Sequence, residues 1–324
     1  MEANGSMHIM ANVLVTGGAG FIGSHLVRRL LEDGHGIRVL DNLSTGCACN
    51  LRGVRDRIDF IHGDICLPRN CEVACKNMDY VFHQAAIPSV PKSINEPTPS
   101  HNANINGTFN MLQAAHKCRV ERFIYAASSS AYGDTTESPK YEGIKPMPMS
   151  PYAVQKYLGE HYCKVFSDCF GLETISLRYF NVFGERQDPK SQYAAAIPAF
   201  ITSLLRGESP TVYGDGEQTR DFTYVENVVE ANILAMLCEK QTHGEVVNIA
   251  GGQRITVNQV LSSISQALDI TLNVNYVDRR PGDIEHSCAD ITLARDLLGY
   301  EPIVEFDEGL QVAVDFYDDG KSNV

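Results

Sequence analysis

The 324-residue chain has no apolar run near the roughly 20 residues that cross a bilayer. Its opening residues, Met1 to Met7, lack the apolar core of a secretory leader, so the first seven or eight residues are expected to form a lead outside the fold. Positive charge is also short: 27 Lys and Arg stand against 40 Asp and Glu, a net charge of −13. That balance excludes a general nucleic-acid or anionic-membrane surface, so an anionic ligand has to be met by a few local cations. The ten cysteines are Cys47, Cys49, Cys66, Cys71, Cys75, Cys118, Cys163, Cys169, Cys238 and Cys288. No His/Cys pair follows Cys47-Ala48-Cys49 or Cys71/Cys75 at zinc spacing, so no metal site is expected. Without a leader, the cysteines are expected to be free thiols of a reducing cytoplasm. What remains is 44% hydrophobic and 21% charged, ordinary for a globular chain of one large domain or two.

The stretch Ser150-Pro151-Tyr152-Ala153-Val154-Gln155-Lys156 reads as a helix start, with Ser as N-cap and Pro at the first helical position. Residues four apart share a helix face, which brings Lys156 beneath Tyr152. A free tyrosine titrates near ~10, and one nearby cation lowers such a group by roughly 1–3 units, so Tyr152 is a candidate general base.

Upstream, the apolar run Asn12 to Thr16 leads into Gly17-Gly18-Ala19-Gly20-Phe21-Ile22-Gly23 and then a helical pattern over Ser24 to Glu32. Strand, glycine turn and helix form the context of a dinucleotide loop, whose Gly17, Gly20 and Gly23 let backbone approach a pyrophosphate at a helix N-terminus. Asp41 ends the next apolar run at the offset where a carboxylate takes ribose hydroxyls. It would repel a 2′-phosphate, which selects NAD over NADP. Further strands are expected at 58–61, with Asp64 and Ile65 after it to flank the adenine, and at 80–83, followed by small Gln84-Ala85-Ala86. Others are expected at 123–127, ending in Ser128-Ser129-Ser130, and at 246–249. This repeated strand and helix order predicts an α/β fold with a doubly wound parallel sheet.

The glycine loop, the serine run about two dozen residues before Tyr152, the Tyr-x-x-x-Lys pair and Arg178-Tyr179-Phe180-Asn181 together resemble the extended short-chain dehydrogenase/reductase family, specifically its nucleotide-sugar 4-epimerases. The resemblance runs from about Ile9 to about Tyr317 and is nearest to the bacterial and archaeal UDP-N-acetylglucosamine 4-epimerases. It implies a Rossmann domain of residues 8–181 and 222–250, and a smaller nucleotide-sugar domain of 182–221 and 251–319. It implies Tyr152 as base, Lys156 as the cation holding the nicotinamide ribose, and Ser128 at the sugar O4, with its neighbours in the run left as alternatives. The implied reaction oxidises C4 to a ketone and reduces it again on the other face, with NAD carrying the hydride.

The resemblance further assigns Phe21, Ile22, Asn42, Ser44, Gly46, Asn104 and Tyr179 to the cofactor. Ser89, Ser129, Asn181, Ala195, Ala196, Tyr213, Arg220, Arg280, Asp283 and Ser287 go to a UDP-sugar. Dehydratases of this kind carry Asp-Glu where Ser129-Ser130 stand, and decarboxylases carry Glu at position 130, so simple epimerisation is expected. The residue at position 287 borders the sugar C2 substituent in the resembling enzymes, and a small serine predicts that N-acetylhexosamines are accepted. Rival readings are a UDP-glucose 4-epimerase, a UDP-hexuronate 4-epimerase using Lys92 or Arg186 near C6, and a catalytically silent dinucleotide sensor. A homodimer through the helices that carry Phe109, Leu112, Tyr157 and Val165 is also implied.

Overall fold

The structure is a computed structural model that describes residues 10–189, 196–279 and 286–320. Seven parallel strands form one sheet: β1 (Asn12–Thr16), β2 (Gly36–Asp41), β3 (Asp59–His62), β4 (Tyr80–His83), β5 (Arg122–Ser128), β6 (Glu173–Tyr179) and β7 (Glu245–Ile249). Their spatial order is β7-β6-β5-β4-β1-β2-β3. The order reverses between β1 and β4, which opens a crevice at the carboxyl ends of the strands, where open α/β sheets bind ligands.

Helices cover both faces because side chains alternate along each strand. In β1, Val13 and Val15 enter one buried cluster with Leu26 and Leu30 of helix α1 (Phe21–Glu32), while Leu14 enters the other with Leu112 of α2 (Thr108–Cys118). Helix α3 (Pro151–Phe170) starts as the sequence predicts: Ala153 N–H donates to Ser150 Oγ at 3.2 Å. It lies close against β5 because Gly159 has no side chain to strike the Tyr125 ring. A third apolar cluster, built on Phe183, Phe200, Phe222 and Phe306, sits beside the sheet. It includes Phe183 and Phe222, which hold the segments carrying Asn181 and Arg220 near the crevice, and the Ser287 segment is bonded to the second of these through Thr219 O.

Two local features differ from expectation. Cys47 and Cys49 form a disulfide, while the other eight cysteines are free thiols. Leu112 is fully buried within the chain and is unavailable to a partner, whereas Phe109 and Val165 are exposed. Among the described residues no helix is long and apolar enough to cross a membrane.

Candidate active site

A single cavity of about 1770 Å³ runs along the carboxyl ends of the strands. At one end lies the glycine loop. Gly17 has φ +67° and a Cβ there would come within 2.7 Å of the Ala85 amide, so both the turn and the close approach require glycine. The N-cap of α1 is Gly20, which supplies no side-chain hydrogen bond, so the first-turn amides of α1 stay available. Asp41 is buried and each carboxylate oxygen accepts one backbone N–H, from Ala19 at 2.9 Å and Leu43 at 2.8 Å, tying the loop to the end of β2. Asn42 donates to Asp64 at 3.1 Å. Although burial pushes the Asp64 carboxyl up, donated hydrogen bonds from Cys66 and Asn42 hold it below the usual range. Uncapped helix amides, a cradle that a Cβ would fill and a carboxylate one strand away make a donor set that fits NAD.

The middle of the cavity is held by polar contacts that tie the strand ends to one another and to flanking helices. Gln84 Nε2 donates to Tyr179 OH at 3.0 Å, and Asn232 Nδ2 donates to the same oxygen at 2.9 Å. Burial pushes the Tyr179 phenol up to about 12, so it remains a neutral wall. His83, fully buried, links Thr16 Oγ1 at 2.8 Å to Thr108 Oγ1 at 3.0 Å; burial, aided by the Lys156 charge, lowers its imidazole to about 3 and keeps it uncharged.

At the far end β5 stops at Ser128, and a short turn carries Ser129 and Ser130 into the cavity. Ser128 Oγ lies 2.9 Å from Ser130 Oγ, and its hydroxyl acts on the phenol of Tyr152. Lys156 Nζ donates to the Ala126 carbonyl at 2.8 Å and sits 5.1 Å from the centre of the Tyr125 ring. Burial pushes the Tyr152 phenol above its ordinary value against the Ser128 hydrogen bond, and pushes the Lys156 ammonium down to about 8 against the pull of Glu160. The pair therefore shares one helix face as predicted, but in the protein alone Lys156 is engaged with β5 and the phenol keeps its proton at neutral pH.

Most of the residues assigned from sequence meet in this cavity: Gly17, Gly20, Phe21, Ile22, Gly23, Asp41, Asn42, Ser44, Gly46, Asp64, Ile65, Gln84, Ala85, Ala86 and Tyr179 at the cofactor side, with Ser89, Ser128, Ser129, Tyr152, Lys156, Asn181, Arg220 and Ser287 beyond them. Asn104 does not line it. Its side chain accepts from Ile87 N–H at 2.8 Å and donates to Gln155 at 2.8 Å, so it braces the wall from behind. Ala196 and Tyr213 line an adjoining cavity of about 260 Å³ that shares Asn181 and Arg220 with the first. Ala195, Arg280 and Asp283 lie outside the described residues. Lys92 and Arg186 both line the main cavity, Arg186 beside Arg28 of α1.

Sequence reasoning missed Lys140, which lines the cavity although only 2% exposed. It has no periodic pattern around it. Residues 140 and 289 meet as a bridge between distant segments, a pairing that no local signal announces. Reasoning from the sequence also overlooked the bracing of the 287–289 segment. There Ser287 N–H donates to Thr219 O at 3.1 Å, Ala289 N–H to Asp221 Oδ2 at 3.0 Å, and Lys140 N–H to Cys288 O at 2.8 Å.

Residues 13–250 match the family described as NAD dependent epimerase/dehydratase. A putative UDP-glucose 4-epimerase of Methanocaldococcus jannaschii is 37% identical over 306 residues, 94% of this chain and 97% of that protein. A UDP-N-acetylglucosamine 4-epimerase from Methanobrevibacter ruminantium, solved with UDP-N-acetylmuramic acid, superimposes with a TM-score of 0.92 at 41% identity, covering 96% of this chain and 99% of that one. A UDP-glucuronic acid 4-epimerase from Bacillus cereus, solved with UDP-glucuronic acid and NAD, gives 0.87 at 33% identity, covering 95% and 99%. With the glycine cradle, the Ser128/Tyr152/Lys156 cluster and these relatives together, the chain belongs to the NAD-dependent epimerase/dehydratase family, as one of its UDP-sugar 4-epimerases.

Proposed function

We propose that the enzyme interconverts UDP-N-acetylglucosamine and UDP-N-acetylgalactosamine. The observation that supports the acetylated sugar is Ser287, a small buried side chain on the cavity wall beyond the serine turn. A large residue there would fill the volume an acetamido group needs, since protein interiors leave no spare space. The N-acetylated sugar in one structural relative and the uronic sugar in another leave the choice to such wall residues.

In this reading the residues 8–181 and 222–250 hold the cofactor, and 182–221 and 251–319 hold the UDP-sugar. Bound NAD supplies the acceptor and donor of the C4 hydride and, when oxidised, a positive charge that eases release of the Tyr152 proton near neutral pH. Tyr152 takes the O4 proton and returns it after the sugar has turned over. Ser128, paired with Ser130 and acting on the Tyr152 phenol, orients O4 toward that phenol. Lys156 holds the cofactor ribose, and Arg220 takes the diphosphate with a forked guanidinium. Ser129 and Ser130 add no carboxylate, so the ketone has no second acid or base to carry it on to elimination or decarboxylation.

Purified protein with no added cofactor should convert UDP-N-acetylglucosamine to its C4 epimer, read by chromatographic separation. Ser287→Tyr should lower the ratio of kcat/KM for UDP-N-acetylglucosamine over UDP-glucose by on the order of 10²-fold. An unchanged ratio would remove Ser287 from the selectivity wall. The proposed homodimer uses the face of α2 and α3 on which Phe109, Val165 and Phe170 are exposed. Light scattering that reads a monomer mass would exclude it.

A further inference from the structure

Lys140 is a lysine in a place where lysines are rarely left. It is 2% exposed and lines the catalytic cavity, and among the described residues no carboxylate lies within ion-pair distance of its ammonium. Among the described residues its ammonium makes one hydrogen bond, a long one donated to the Gly133 carbonyl at 3.4 Å, with the Tyr132 ring centre 6.0 Å away. Burial and the neighbouring Arg220 hold its pKa below the ordinary lysine value, against a weaker pull from Asp134. A buried cation without a counter-ion is costly, and a chain that keeps one at a ligand cavity gains from it when an anion arrives.

The position of that charge says which part of a ligand it meets. Gly133 closes the turn that carries Ser128 to Ser130, and the backbone of Lys140 is bonded to Cys288, next to Ser287. The ammonium therefore stands between the two walls that receive the sugar ring, at the opposite end from the glycine loop. Resting on the reading that those walls hold a UDP-sugar, we infer that Lys140 is the site of an acidic sugar substituent: the enzyme accepts nucleotide sugars whose ring bears a carboxylate, and Lys140 pairs with it. The carboxylate can come from oxidised C6 or from an acidic ether on C3. Both offer the same anionic oxygens to one ammonium.

The test compares wild type, Lys140→Met and Lys140→Arg on UDP-N-acetylglucosamine, UDP-N-acetylglucosaminuronate (carboxylate at C6) and UDP-N-acetylmuramate (carboxylate on the C3 ether). Wild type should bind at least one acid, as substrate or as competitive inhibitor. Lys140→Met should lower the ratio of acidic to neutral kcat/KM, or of the corresponding affinities, by about 30- to 1000-fold, mainly through KM. Lys140→Arg should keep most of that preference, and the acid whose ratio falls identifies the position of the carboxylate. Equal loss on neutral and acidic sugars would overturn the assignment, because a cation serving the diphosphate or the fold does not distinguish them. So would wild type that epimerises the neutral sugar and ignores both acids, a result that leaves the proposed function standing. Failure of wild type on every sugar removes that function and this inference with it. Methionine nearly matches the lysine stem in volume, and unchanged thermal melting of the variant confirms that the ratio reports binding.

Discussion

Tyr152→Phe lowers kcat by on the order of 10²–10⁴, the contribution of a placed proton-transfer group. The substitution removes one oxygen from a side chain whose backbone amide is fixed to Ser93 Oγ at 3.1 Å and whose helix is capped by Ser150, so the ring keeps its place. The variant should retain bound NAD and near-normal KM, because the lost interaction belongs to the step and not to ground-state binding. Burial raises the phenol and the Ser128 hydrogen bond opposes it, so Ser128→Ala should add little to the loss already caused by Tyr152→Phe. Turnover within about threefold of wild type in Tyr152→Phe would strip the residue of the role of base.

Arg178→Met should destabilise the fold by about 3–5 kcal/mol, read from the shift in urea midpoint. Arg178 and Glu160 are each 3% exposed and meet through two hydrogen bonds of 2.8 and 2.7 Å, joining β6 to α3 one turn beyond Lys156. The guanidinium also lies 4.5 Å from the centre of the Tyr132 ring. Removing it strands a carboxylate that burial already pushes above its ordinary value. The paired change Glu160→Leu with Arg178→Met should recover most of the loss, since two apolar groups need no solvation. A shift under about 1 kcal/mol in the single variant would mean that water reaches the pair.

The parts of this enzyme written in local pattern were legible before the structure. The glycine spacing after an apolar run located the crevice, Asp41 stood at the end of β2, and Ser150-Pro151 placed the start of α3. The π-helical turn Asn102–Gly107 was not legible, and it is this turn that sends Asn104 behind Ile87 and away from the cavity. The electrostatics of Tyr152 were misjudged for a physical reason. Sequence spacing gives the distance between a phenol and an ammonium, but not the Ala126 carbonyl that claims the ammonium or the burial that raises the phenol. Lys140 and the buried Asp221 depend on contacts between segments far apart in the chain, so nothing in their neighbours marks them.

The segment bearing Ser287 is fastened through its peptide groups, to Thr219, Asp221 and the amide of Lys140, and none of those bonds involves the Ser287 side chain. A mutation at 287 therefore reshapes the wall and leaves its mooring untouched. On the proposed reading of Ser287, such a scaffold would let a lineage change its diet by single steps, each intermediate still folded and still able to perform the same oxidation and return at C4.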